Sequence, residues 1–137
     1  MFDENCLFCK IASKKISSLV IYEDENAIAF LDINPRVAGH TVVIPKYHSA
    51  TLVDLPDDLV SKLFIAVKKV DQILLEKLNP DGMTIGINQG RASGQEVDHI
   101  HIHLMPRFKN DGGGSIQSVI NNKPKDDIND IFSKLKS

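Results

Sequence analysis

His99-Ile100-His101-Ile102-His103-Leu104-Met105 alternates imidazole with an aliphatic side chain at nearly every step. In an extended strand successive side chains point to opposite faces, so this run sets three imidazoles on one face and Ile100, Ile102 and Leu104 on the other. A helix would scatter the histidines around its circumference, and the β-branched isoleucines between them also favour the strand. The reading is a strand that is half core and half reagent, closed by Pro106.

Upstream of that run, Met83 to Ile87 has strand character and leads through the polar, glycine-containing loop Asn88 to Gln95. Such a loop beside a histidine strand can present backbone N–H groups to an anion. From Pro56 to Leu78 the period becomes helical: Leu59, Val60, Leu63, Phe64, Val67, Val70, Ile73, Leu74 and Leu78 form one apolar stripe that should lie on the sheet. Asn79-Pro80-Asp81-Gly82 ends it. Nearer the N-terminus, Leu19–Tyr22 and Ala27–Leu31 read as an antiparallel pair joined by Glu23-Asp24-Glu25-Asn26. A third strand, His40 to Ile44, follows Gly39 and stops at Pro45. Past Gly112-Gly113-Gly114, Asp126 to Leu135 reads as a short helix with Ile128, Ile131, Phe132 and Leu135 on one side. Strands grouped around one long helix without βαβ alternation predict an α+β domain, an antiparallel sheet of about five strands with short terminal helices.

With 137 residues, 42% of them apolar, the chain is sized for a single domain, 1–137. No stretch reaches the apolar length of a membrane span, and the start Met1-Phe2-Asp3-Glu4-Asn5 lacks a signal-sequence pattern, so a cytoplasmic protein is expected. The net charge of −2 comes from interspersed signs, which argues against a polymeric nucleic-acid partner. A mononucleotide needs no basic patch, since backbone N–H groups and a few side chains hold one phosphate.

Imidazole serves near neutral pH as nucleophile, proton carrier, cation or metal ligand. Two readings of the triple histidine follow: a histidine nucleophile at phosphorus supported by its neighbours, or a metal site. The chain's two cysteines stand as Cys6-Leu7-Phe8-Cys9, a spacing that suits a metal half-site, a redox pair or two inert thiols. A structural zinc needs four ligands, and His48 and His99 are the candidates to complete the set.

The chain resembles the histidine triad (HIT) family. The run His99 to Met105 fits that family's signature, and Ala29-Phe30-Leu31-Asp32-Ile33-Asn34-Pro35, Gly39-His40 through Tyr47-His48, and Asn88 with Gly94-Gln95 look like its other blocks in order. The likeness spans a core of 6–107; the segment 110–137 is variable. The resemblance implies a nucleotidyl hydrolase or transferase acting on purine nucleoside monophosphates that carry an amine or phosphate leaving group, through a nucleotidyl-histidine intermediate, in a homodimer. By the resemblance His101 is the nucleophile and His40 and His103 contact phosphate oxygens. Asp32 takes the ribose hydroxyls, and Phe8, Ile11, Leu31 and Ile33 enclose the base. Asn88, Gly94 and Gln95 fall beside the phosphate, with Glu96 and Val97 following. In the zinc-containing branch Cys6, Cys9, His48 and His99 match the ligands, a structural ion that the chemistry itself does not require.

Glu96 departs from the hydroxyl that many relatives carry after the glutamine. A carboxylate beside a phosphate repels it unless protonated or turned away, so Glu96 is expected either to act as a general acid or to face solvent. Two other functions compete: a zinc metallohydrolase on the histidine cluster, and a non-catalytic nucleotide-binding module. Against the first, His99 and His103 are separated by roughly 13 Å along an extended strand.

Overall fold

The computed structural model describes residues 2–137. A five-stranded antiparallel sheet runs in the order β1-β2-β3-β5-β4, built from β1 (Val20–Glu23), β2 (Ala27–Leu31), β3 (Thr41–Pro45), β4 (Gly82–Gly86) and β5 (Ile102–Arg107). The hairpin turn is shaped by Asp24, whose Oδ1 accepts the N–H groups of Asn26 and Ala27. Alternation along the central strands then divides the core in two. Ala27, Ala29, Val43, Ile102 and Leu104 join Ile100 beneath α2 (Asp57–Leu78). Ile28, Phe30, Val42 and Ile44 point the other way and pack on the short α1 (Leu7–Ala12). The sheet is thus covered on both faces, and the reagent face of β5 is the one that carries α1.

Several details differ from the sequence reading: β1 and β4 are displaced by one residue from the expected bounds, and β3 runs from Thr41 through Pro45, which pairs with Ala27 instead of ending the strand. The ladder of β5 begins at Ile102, so His99 and His101 lie in its extended approach, and it continues through Pro106, which pairs with Met83. Phe64 and Leu78 were expected in the buried stripe of α2 but are 42% and 40% exposed, while Ala66 joins the core instead. A 22-residue helix crossing one sheet face buries only the turns of Leu63, Val67, Val70 and Leu74, and its flanks turn outward. The C-terminal helix α3 (Ile128–Lys136), capped by Asp127, forms where expected but contributes no buried residue.

Candidate active site and metal centre

Each ring of the triple histidine has a different partner. His99 is fully buried; its Nε2–H donates to the Pro45 carbonyl at 2.8 Å, which leaves Nδ1 as a lone pair 3.4 Å from Cys6 Sγ and 3.6 Å from Cys9 Sγ. Burial holds this imidazole neutral, at about 4. His48 Nδ1 lies 3.3 Å from Cys9 Sγ, and all four donor atoms fall within 4.8 Å of one another.

These separations suit a tetrahedral ion, whose sulfur-to-nitrogen edges are about 3.6 Å at ordinary zinc distances. The second coordination layer suits it too, since a metal-bound histidine normally donates its other N–H to a carbonyl, as His99 does. Cys6 caps α1 through its Sγ, which accepts the N–H of Cys9, so the helix start itself aims both sulfurs. Burial, reinforced by Cys6, pushes the Cys9 thiol above its ordinary value, and the Asp3 N–H bonded to Cys9 Sγ pulls the other way. A thiol so placed needs a cation to be held as thiolate.

Phe8, whose ring meets those of His99 and His101 edge-on, links this cluster to a second constellation. His101 is 7% exposed; its Nδ1–H donates to the carbonyl of His99 at 2.7 Å, so Nε2 carries the free lone pair. His40 Nδ1 accepts the N–H of Arg36, which places the proton on Nε2, and Nε2–H donates to His103 Nδ1 at 2.9 Å. His103 then holds its own proton on Nε2. Burial lowers both rings from their ordinary values: His40 with the Arg36 guanidinium acting in the same sense and Asp32 opposing, His103 to about 4 with the fields of His101 and His40 assisting. The result is one ring, His101, with Nε2 turned away from its hydrogen-bonded Nδ1, beside a pair of N–H donors, His40 and His103, that burial keeps neutral.

Asp32, His40 and His103 also bring donor atoms within 4.8 Å. Their hydrogen bonds argue against an ion there, because His40 Nε2 is protonated as long as Nδ1 accepts from Arg36. Nor do His99, His101 and His103 converge, since their Nδ1 atoms face a thiol pair, a carbonyl and another imidazole.

Asp32 is half-buried; its Oδ1 accepts the N–H of Asn34, and its Oδ2 lies 3.6 Å from His40 Nε2. A cleft of about 330 Å³ beside it is lined by Leu31, Asp32, Pro35, Arg36 and His40 among others. Phe8 and Ile11 are buried, Leu31 and Val97 half-buried, and Ile33 is 88% exposed. Asn88 is exposed and its amide lies against Gly94, whose φ of +102° bends the loop. Gln95 is buried with its amide engaged: Oε1 accepts the N–H of Gly90, and Nε2 donates to the carbonyls of Ala50 and Val97. It therefore holds the loop in place and has no free donor for a substrate. Glu96 is exposed, with no hydrogen bond or ion pair from its carboxylate among the described residues, the solvent-facing of its two expected roles. The residues that sequence reasoning missed, Pro45, Arg36 and Asp3, act mainly through backbone groups, which carry no side-chain signature.

A five-stranded α+β sheet with a histidine strand over an N-terminal Cys-x-x-Cys turn defines a histidine-triad protein. Residues 13–110 match the HIT domain, and the chain belongs to the HIT family. An uncharacterised HIT-like protein of Methanocaldococcus jannaschii is 42% identical over 135 residues, covering 96% of this chain and 98% of that one. An adenosine 5′-monophosphoramidase of Saccharomyces cerevisiae is 39% identical over 105 residues, 77% of this chain and 64% of that one. Among solved structures, a HIT family protein of Bacillus subtilis superposes with a TM-score of 0.85 at 36% identity, covering 97% and 96% of the two chains. A zinc-bound histidine triad protein of Mycobacterium smegmatis superposes with a TM-score of 0.74 at 37% identity, covering 89% and 84%.

Proposed function

We propose that this protein is a nucleotidyl hydrolase or transferase that cleaves purine nucleoside monophosphate derivatives at the α-phosphorus through a covalent nucleotidyl-His101 intermediate. The observation that carries this reading is the tautomer of His101: Nδ1–H is committed to the His99 carbonyl, so the lone pair of Nε2 is the nucleophile. Attack of Nε2 in line with the leaving group forms a P–N bond and breaks the bond to the amine or phosphate, which leaves with its electron pair and takes a proton from solvent. The ring becomes cationic while bonded to phosphorus, and its Nδ1–H to the His99 carbonyl strengthens as that charge appears. His103 Nε2–H faces the developing charge on the phosphoryl oxygens, a contribution of about 3 kcal/mol per donor in comparable sites. Water then attacks phosphorus, forming a P–O bond and breaking the P–Nε2 bond; its proton passes to solvent, the nucleotide is released and the lone pair returns to Nε2. The name of the yeast relative, an adenosine 5′-monophosphoramidase, supports an amine leaving group.

Zinc on Cys6, Cys9, His48 and His99 serves the fold in this reading, tying α1 to the approach of β5. The free thiols suit a cytoplasmic setting; no helix among the described residues is long and apolar enough to cross a membrane. A homodimer is supported by outward apolar side chains on α2 (Phe64, Ile65, Leu75, Leu78) and on α3 (Ile128, Phe132, Leu135).

The test is to mix the protein with adenosine phosphoramidate, trap at short times and weigh it intact. A nucleotidyl adduct on the wild type and none on His101→Ala is expected. Absence of any adduct, with turnover unchanged in His101→Ala, refutes the mechanism and leaves the metallohydrolase reading, whereas no adduct and no turnover in the wild type leaves the binding module.

A further inference from the structure

The geometry points to Asp3 as a fifth residue of the metal centre, a positioning residue that orients His48 and holds Cys9 as a ligand. It rests on the metal reading of Cys6, Cys9, His48 and His99. His48 turns Nδ1 toward Cys9 Sγ at 3.3 Å. For Nδ1 to bind a cation as a lone pair, the proton of the neutral ring must sit on Nε2. That atom faces the carboxylate of Asp3, with Oδ2 at 3.8 Å. A carboxylate that receives the N–H of a metal-bound imidazole fixes its tautomer and rotation and makes the ring a better donor. The 3.8 Å separation is longer than a hydrogen bond, and the half-exposed Asp3 carboxylate would have to move onto the His48 N–H when an ion binds.

The same residue reaches the site twice more. Its backbone N–H is directed at Cys9 Sγ at 3.4 Å, a contact that favours the thiolate. Its carbonyl accepts the N–H of Cys6 at 3.1 Å, and its Oδ1 accepts the N–H of Asn5 at 2.9 Å, which folds residues 3–6 into a tight turn over the cluster. One carboxylate oxygen therefore shapes the turn and the other addresses His48. His99 has its own acceptor in the Pro45 carbonyl, so the two histidine ligands are oriented by different groups and can be perturbed separately.

Asp3→Asn isolates the charge. The amide oxygen still accepts the Asn5 N–H, and the backbone contact to Cys9 persists, but an NH₂ group now meets the N–H of His48. We expect zinc affinity, read by competition with a chromophoric chelator, to fall about 10- to 100-fold. Cobalt(II) replacing zinc gives paramagnetically shifted ring N–H resonances for both histidine ligands. The His48 signal should exchange with water faster in Asp3→Asn, while that of His99, buried on Pro45, stays as in the wild type.

Wild-type affinity in the variant, or equal acceleration of both resonances, overturns the assignment, because the second outcome would mean general loosening of the turn. A wild-type protein that takes up no zinc defeats the metal reading itself and Asp3 with it. One zinc per chain with affinity indifferent to Asp3→Asn defeats only the role of Asp3. None of these readouts depends on turnover, so a failure of the nucleotidyl-transfer chemistry is separately visible.

Discussion

Keeping His103 uncharged has a thermodynamic consequence that a single substitution can isolate. An unfolded histidine titrates near 6.5, whereas burial, with the fields of His101 and His40, holds His103 at about 4. Between those values the unfolded chain binds the extra proton and the folded one does not. The stability gained by keeping the ring neutral is therefore complete above pH 6.5 and is lost as pH falls through 6.5 toward 4. A gap of about 2.5 units, at about 1.4 kcal/mol per unit, makes the total about 3 kcal/mol, with about 2 kcal/mol gone by pH 5. His103→Asn keeps an acceptor for the His40 N–H, through its amide oxygen, and removes the titrating ring. Urea unfolding of the zinc-loaded protein, followed by circular dichroism from pH 7.5 to pH 5, should show the wild type losing about 2 kcal/mol more than the variant over that range. Parallel curves for the two proteins would refute the reasoning. They would mean that His103 already titrates as an exposed histidine, and the case for neutral N–H donors around the phosphate would go with it.

Other perturbations test neighbouring parts of the structure. Gly39 has φ of +88°, and a Cβ there would run into Leu78 Cδ1 and press on Pro106 Cγ, so Gly39→Ala should cost about 2 kcal/mol. Because His40 follows directly, turnover should fall as well; a variant with wild-type melting temperature and rate would contradict this. Gln95→Ala strands the Gly90 N–H and the Ala50 carbonyl, and should lower stability in urea by about 1–3 kcal/mol while also slowing turnover. Stripping the Cys6, Cys9, His48, His99 centre with a chelator should lower the melting temperature, with turnover at low temperature surviving until the fold loosens; immediate loss of activity at full helicity would favour the metallohydrolase instead.

How far the fold was legible follows from which residues carried a periodic signal. Ala27 to Leu31 and the body of the third strand, Thr41 to Ile44, were readable because each alternating face has a cover, α2 on one side and α1 on the other. The stripe of α2 was readable in its middle and over-read at Phe64 and Leu78, since period alone does not say how wide a sheet the helix crosses. In the site, the side chains that meet were all nameable in advance: Cys6, Cys9, His48 and His99 in one cluster, Asp32, His40 and His103 in the other. What orients them was not. Pro45 O, His99 O and the N–H of Arg36 are main-chain groups that every residue possesses, and only the fold selects which ones face an imidazole.

The misplaced start of the decisive strand is itself informative. Perfect alternation over 99–105 predicts a ladder from His99 onward, yet regular pairing starts at Ile102. In an antiparallel ladder the carbonyl of His99 would be available to a neighbouring strand's N–H, and the ring of His101 would compete with it. Here the approach to β5 is held instead by the N–H of Ile100, which donates to the Ser49 carbonyl at 2.7 Å, and by the ring of His99 on the Pro45 carbonyl. The His99 carbonyl is left for His101 Nδ1. Ile100 still enters the core beneath α2, so the alternation that hydrophobic burial demands is preserved while the backbone pairing is given up. A local rule fails where a main-chain acceptor is needed for another purpose, and that purpose is to set which nitrogen of His101 bears the lone pair. His99 thus serves both constellations, with its ring turned to the thiols and its carbonyl to the neighbouring imidazole, and Phe8 packs edge-on against both rings.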